Sequence, residues 1–173
     1  MRGRERSEAN PREAHRMTDT AHVVRSVTVE IDAPAAVVWD VLVDFAAYPQ
    51  WNPFTVVAAS TLEIGSPIDL TLPAYDGSGG LFDTREFIRI VDPPRHLRYD
   101  NDGQIPGVLG SRDQWVTDLG PGRSSYVTTD TISGELADTA MELTGEWMQS
   151  GFDAVAHALK ARAERVWAGR SGA

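Results

Sequence analysis

Three acidic residues of this chain fall among large apolar residues on alternating segments, and carboxylates in such surroundings are suited to moving protons. Residues 124–134 alternate so that Tyr126, Thr128, Asp130 and Ile132 share one face. Residues 109–119 put Asp113, Trp115 and Thr117 on one face. Residues 82–91 put Phe82, Thr84, Glu86, Ile88 and Ile90 together, with Asp83, Arg85 and Arg89 opposite. The large apolar members are expected to turn these faces inward. Asp130, Asp113 and Glu86 would then stand at an apolar wall, where burial raises a carboxyl pKa and makes it a general acid or base. The competing reading is an ordinary ion pair with Arg112 or Arg85.

Other chemistries find less support. The chain has no cysteine, which removes disulfides, thiolate ligands and thiol nucleophiles together. His15, His22, His96 and His157 share no metal-ligand spacing, so no metal site is expected. His157 sits in a helical stretch and reads as an exposed or satisfied histidine rather than a cavity group. No Gly-x-Ser-x-Gly elbow is present. Gly77-Ser78-Gly79-Gly80 lacks the Gly-Lys-Ser/Thr of a phosphate loop and reads as an inter-strand loop. Nothing implies a cofactor.

The net charge of −9, from 16 basic and 25 acidic residues, argues against a nucleic-acid partner, which needs a basic face. Apolar runs fall short of the roughly 20 residues of a membrane span. The first residues carry charge but no apolar signal segment, so a cytoplasmic protein is expected, as a monomer or weak homodimer. Residues 1–20 are polar and aperiodic, with five Arg and three Glu up to Met17. They read as a disordered tail, with Met17 an alternative natural start.

The elements that would position the acids follow from periodicity. Residues 22–31 alternate as a strand. Pro34 opens a helix with Val38, Leu42 and Phe45 as its stripe, and Pro49 and Pro53 bracket a short segment with Tyr48, Trp51 and Asn52. Asn52 reads as a turn-forming amide. Strands are expected over 54–62, 68–72, 82–91, 96–99, 109–119 and 124–134, joined by turns such as Gly120-Pro121-Gly122. From about 138 to 167 the chain is Pro-free, with Met148, Phe152, Val155, Leu159 and Val166 at helical spacing and Gly151, Ala158 and Ala163 beside them. About seven antiparallel strands and one long C-terminal helix make an α+β domain over 21–168, with 169–173 as a short tail. The helix would be gripped by a curved sheet, leaving an apolar cavity between them.

This arrangement resembles the SRPBCC, or START-like, superfamily, and within it the polyketide cyclase/dehydratase-like branch. The likeness rests on Ile31-Asp32-Ala33-Pro34 through Val38-Trp39 to Asp44-Phe45, Tyr48 and Trp51-Asn52-Pro53-Phe54. It continues with Pro93-Pro94-Arg95-His96-Leu97-Arg98-Tyr99, with Thr131-Ile132-Ser133-Gly134-Glu135-Leu136, and with Phe152 to Glu164. The resemblance implies a helix-grip fold and a small hydrophobic ligand, polyketide-like or lipid-like, in the cavity. Its cyclisation or dehydration is the leading reading, and a non-catalytic carrier the alternative. A protein-binding module using the outer face is a third class. Expected ligand contacts are Trp39, Trp51, Phe82, Trp115, Tyr126, Thr128, Met148 and Phe152. Trp39 and Trp51 have a packing role, against the open end of the sheet, as their competing reading.

Overall fold

A computed structural model describes residues 21–171; the expected N-terminal tail and the last two residues lie outside the described residues. The elements in order are β1 (His22–Arg25), β2 (Val29–Ile31), α1 (Ala35–Val43), a 3-10 helix (Phe45–Gln50), β3 (Val57–Ser60), β4 (Pro67–Pro73), β5 (Leu81–Asp92), β6 (His96–Asp100), β7 (Leu109–Gly120), β8 (Arg123–Ser133) and α2 (Ala137–Ser171). The strands form one antiparallel sheet in the order β1-β8-β7-β6-β5-β4-β3, with β2 also on β8. The fold is the helix-grip α+β architecture. The eighth strand arises because 22–31 is broken. Ser26 leaves the ladder, its Oγ accepting from the Thr128 amide at 3.1 Å while its own amide donates to the Thr128 carbonyl at 3.0 Å. The pairing register moves by one residue between β1 and β2, so Val24, Val29 and Ile31 all stay buried. The last helix reaches Ser171, so 169–171, expected as tail, are helical.

The apolar stripe of α2 does what its spacing predicts. Phe152, Val155 and Leu159 are buried, as are Ala156 and Ala163, whose small side chains let the helix approach the sheet. Burying a side chain such as Leu159 contributes roughly 1.5–3 kcal/mol. Gly151 has a sharper role, because a Cβ there would lie 2.1 Å from the Phe54 ring. Lys160 and Glu164 pair at 2.6 Å, and both also bind the β2 region: Lys160 donates to the Glu30 carbonyl, and Glu164 accepts from the Asp32 amide. Among the described residues, no helix is long and apolar enough to cross a membrane.

Two bulges decide which side chains face inward. In the β7–β8 hairpin, Gly120 pairs with Arg123 but Asp118 pairs with Ser124, leaving Leu119 as an extra residue. A one-residue slip flips every side chain beyond it. Arg112, Gln114 and Val116 therefore lie opposite Asp130, Thr128 and Tyr126 on the inner face. Asp113, Trp115 and Thr117 are turned outward, against the expectation from their apolar member. In β5 the register shifts between Ile88 and Ile90. Val91 instead of Ile90 then packs on the core, paired with fully buried Leu97.

Candidate functional site

The inner face of the sheet and the first half of α2 enclose a cavity of about 300 Å³. That lies at the small end for ligand sites. Its floor comes from Leu70 and Leu72 on β4, Phe82, Thr84 and Glu86 on β5, Tyr99 on β6, Gly110 and Arg112 on β7, and Asp130 and Ile132 on β8. Ala140, Thr144, Trp147, Met148 and Phe152 of α2 form the roof, and Asn101, Ile105 and Val108 of the β6–β7 loop border it. Phe54 closes one side. It is placed by Asn52, whose side-chain oxygen accepts from the amides of Phe54 at 3.0 Å and Thr55 at 2.8 Å, the turn role its type suggests. Ring contacts run from Phe152 to Phe54 (5.6 Å), from Phe54 to Trp147 (4.6 Å), and from Trp147 to both Phe82 and Tyr75 (6.1 Å each).

Polar groups gather at the Phe152 end. Asp130 Oδ1 is buried and has no hydrogen-bond partner among the described residues. Burial pushes its pKa up to about 7, against the pull of Arg112. Glu86 is pushed to about 8, first by burial and then by repulsion from Asp130, with Arg112 again opposing. Both carboxyls thus titrate near neutrality. Arg112 is buried, donates from Nε to Thr128 Oγ1 at 3.1 Å, and lies over the Phe152 ring with its guanidinium carbon 4.3 Å from the centroid. Tyr126 Oη donates to Gln114 Oε1 at 2.7 Å. Burial holds the Tyr99 and Tyr126 hydroxyls above their ordinary pKa, so both remain donors.

The structure brings together Glu86, Asp130, Phe82, Met148 and Phe152 as the sequence suggested. Asp113 and Trp115 are corrections. Asp113 Oδ1 lies 2.6 Å from His96 Nε2 on the outer face, and Trp115, 42 % exposed, stacks on the His96 ring at 3.5 Å. Neither borders the cavity. Tyr126 and Thr128 share the inner face with Asp130 but are packed behind Arg112 without bordering the cavity. Trp39 is buried in the core on α1, and Trp51 packs edge-on against Tyr48 at 5.1 Å, so both play the packing role. His157 is exposed on α2. The anticipated pairing of an inner acid with Arg112 or Arg85 does not form: Arg85 pairs with Asp69, and no carboxylate lies within salt-bridge distance of Arg112 among the described residues. Arg112, Tyr99, Phe54 and Trp147 are site residues that sequence reasoning missed. Trp147 was within reach of helix geometry, one turn after Thr144 and beside Met148.

A family model described as polyketide cyclase / dehydrase and lipid transport matches residues 21–164. A search of curated proteins gives no match. Several solved structures share the fold. The Zhui aromatase/cyclase from a Streptomyces species superposes with a TM-score of 0.67 at 23% identity, over 84% of this chain and 95% of that one. A START superfamily protein from Mycobacterium smegmatis gives 0.61 at 22% identity, over 84% and 99%. Norcoclaurine synthase from Thalictrum flavum gives 0.61 at 14% identity, over 93% and 94%.

Proposed function

The chain belongs to the polyketide cyclase / dehydrase and lipid transport family, and on that premise we propose that it binds a compact hydrophobic molecule in the cavity and moves protons on it through Asp130 and Glu86. One observation carries this reading: a buried, unpartnered carboxylate oxygen of Asp130 at the wall of an aromatic cavity. Left idle, such an oxygen only destabilises the fold. Facing a substrate, it is a preorganised proton acceptor. With pKa values of about 7 and about 8, Asp130 and Glu86 divide the work near neutral pH. Asp130 takes a proton from the carbon next to a carbonyl. Glu86 gives its proton to the departing hydroxyl, water leaves, and a carbon–carbon double bond forms. The apolar walls hold a flexible polyketide-like chain folded for that step.

The carrier reading draws on the family's second activity, lipid transport, and on a wall that is mostly apolar. Asp130→Asn and Glu86→Gln separate the two. With a β-hydroxy carbonyl substrate on an apolar chain, an enzyme loses turnover by roughly 100-fold or more while affinity holds. A carrier shows no turnover to lose. A protein that neither converts nor binds such chains contradicts both readings.

A further inference from the structure

Arg112 is the cavity residue that proton transfer leaves unused. Its side chain is only 6 % exposed. Nε is taken by Thr128 Oγ1, the Tyr126 hydroxyl also hydrogen-bonds the guanidinium, and the group lies over the Phe152 ring, yet among the described residues no carboxylate pairs with this cavity-lining cation. The arginines that have a carboxylate in reach take it: Arg85 holds Asp69 through two nitrogens, and Arg89 holds Asp100 the same way. Asp130 lies directly across the ladder from Arg112, yet its Oδ1 stays unpaired and no ion pair forms. A guanidinium buried without a counter-charge is expensive to maintain, and it presents ready donors to an incoming oxyanion.

The surroundings give the occupant a shape. The aromatic row runs from Phe152, beside Arg112, through Phe54 and Trp147 to Tyr75, which is 51 % exposed. The charged end is therefore the inner one. Resting on the reading of this cavity as a ligand site, the geometry points to an organic monoanion as occupant: a flat apolar body lies along the aromatic row, and a carboxylate, enolate or phenolate at its inner end pairs with the guanidinium of Arg112.

This occupant competes with the protein's own acids. The groups acting on Arg112 are Tyr99 from β6, Tyr126 and Asp130 from β8 and Tyr48 from the 3-10 helix, with Glu86 on β5 coupled to the same cluster. The tyrosines stay neutral through the working range. Below neutrality Asp130 and Glu86 are neutral too, and the cavity floor is cationic. Above it they ionise and supply the missing negative charge themselves, so the bound anion is repelled.

Matched probes test the inference on the full chain by calorimetry: 2-naphthoate, the neutral 2-naphthalenemethanol and the cationic 2-naphthylmethylamine. At about pH 6 the acid should bind about 10-fold or more tighter than the alcohol, the amine weakest, as expected for a charge-assisted pair. The preference should shrink by about pH 9. Arg112→Gln should erase it while the alcohol still binds. Should that variant fail to fold, the double variant Asp130→Asn with Glu86→Gln provides the second reading, by keeping the acid bound at the higher pH. Equal binding of acid and alcohol, or an amine preference, overturns the inference and leaves the cavity reading standing. Failure of all three probes to bind contradicts the cavity reading itself.

Discussion

Neighbouring residues on β7 show what the two faces of this sheet do to charge. Asp113, facing out, holds His96 at 2.6 Å beneath the Trp115 ring. Arg112, facing in, forms no ion pair among the described residues, and the acid opposite it keeps a buried oxygen without a partner there. The same division runs across the molecule. On the outer face, hydrogen bonds from Arg85 and Arg89 hold Asp69 and Asp100 below the usual carboxylate range. On the inner face, burial lifts Asp130 and Glu86 toward neutrality. Among the described residues, Asp69 and Asp100 are held by arginines, whereas Asp130 and Glu86 form no ion pair.

The largest effect that could break this division lies in α2. Leu159→Ala, on the inner stripe and fully buried, should lower unfolding stability by about 2–5 kcal/mol. Leu143→Ala, on the 63 % exposed side, should leave it nearly unchanged. Chemical denaturation of both variants checks this, and equal losses would mean the faces are misassigned.

The next effect is in pH. A carboxyl with a raised folded-state pKa contributes stability that is full below its unfolded value and is lost as pH rises through the folded one. For Asp130 that window runs from 3.8 to about 7, and for Glu86 from 4.5 to about 8. Asp130→Asn should therefore gain stability above pH 8 relative to the parent, on the order of 2–4 kcal/mol, with little gain at pH 4. Asp100 has the opposite sign. Its lowered pKa contributes stability above 3.8 that is lost as pH falls through its folded value. Asp100→Asn should destabilise at pH 7 and approach the parent in strong acid. Melting curves across pH decide both, and a common sign for the two variants would erase the contrast.

Smaller effects concern the aromatics and the surface. Trp147→Ala should weaken binding of a flat apolar probe by about 10-fold, whereas Trp115→Ala should leave affinity unchanged, as titration calorimetry would show. The smallest is Asp69→Asn. Its pair with Arg85 is exposed on both sides, so no measurable change in melting temperature is expected.

Much of this was legible in the sequence. Strand alternation placed Glu86 and Asp130 inward, and helix spacing placed Met148 and Phe152 over them. The failure on β7 has a definite origin. A plain two-residue turn at Pro121-Gly122 keeps the pairing of Gly120 with Arg123 all along the hairpin and sets Asp113 across from Asp130. The bulge at Leu119 shifts the ladder by one and sets Arg112 there instead. Nothing in the local pattern announces that residue, and the inner wall itself is polar at Arg112 and Gln114, so hydrophobicity pointed the wrong way. Trp115 finds its apolar contact on an imidazole at the surface, which alternation cannot distinguish from a core.

The central claim is that the cavity between sheet and α2 holds a small apolar molecule against Asp130. Gly110 offers the most direct test, because a Cβ there meets only Ile132 at 3.4 Å and Asp130 Oδ1 at 3.8 Å. Gly110→Phe should fill the cavity while leaving the strand intact. Native mass spectrometry of the full chain incubated with the neutral 2-naphthalenemethanol should show one bound molecule on the parent and none on the variant. An unliganded parent, or a variant that binds as well as the parent, would contradict the account.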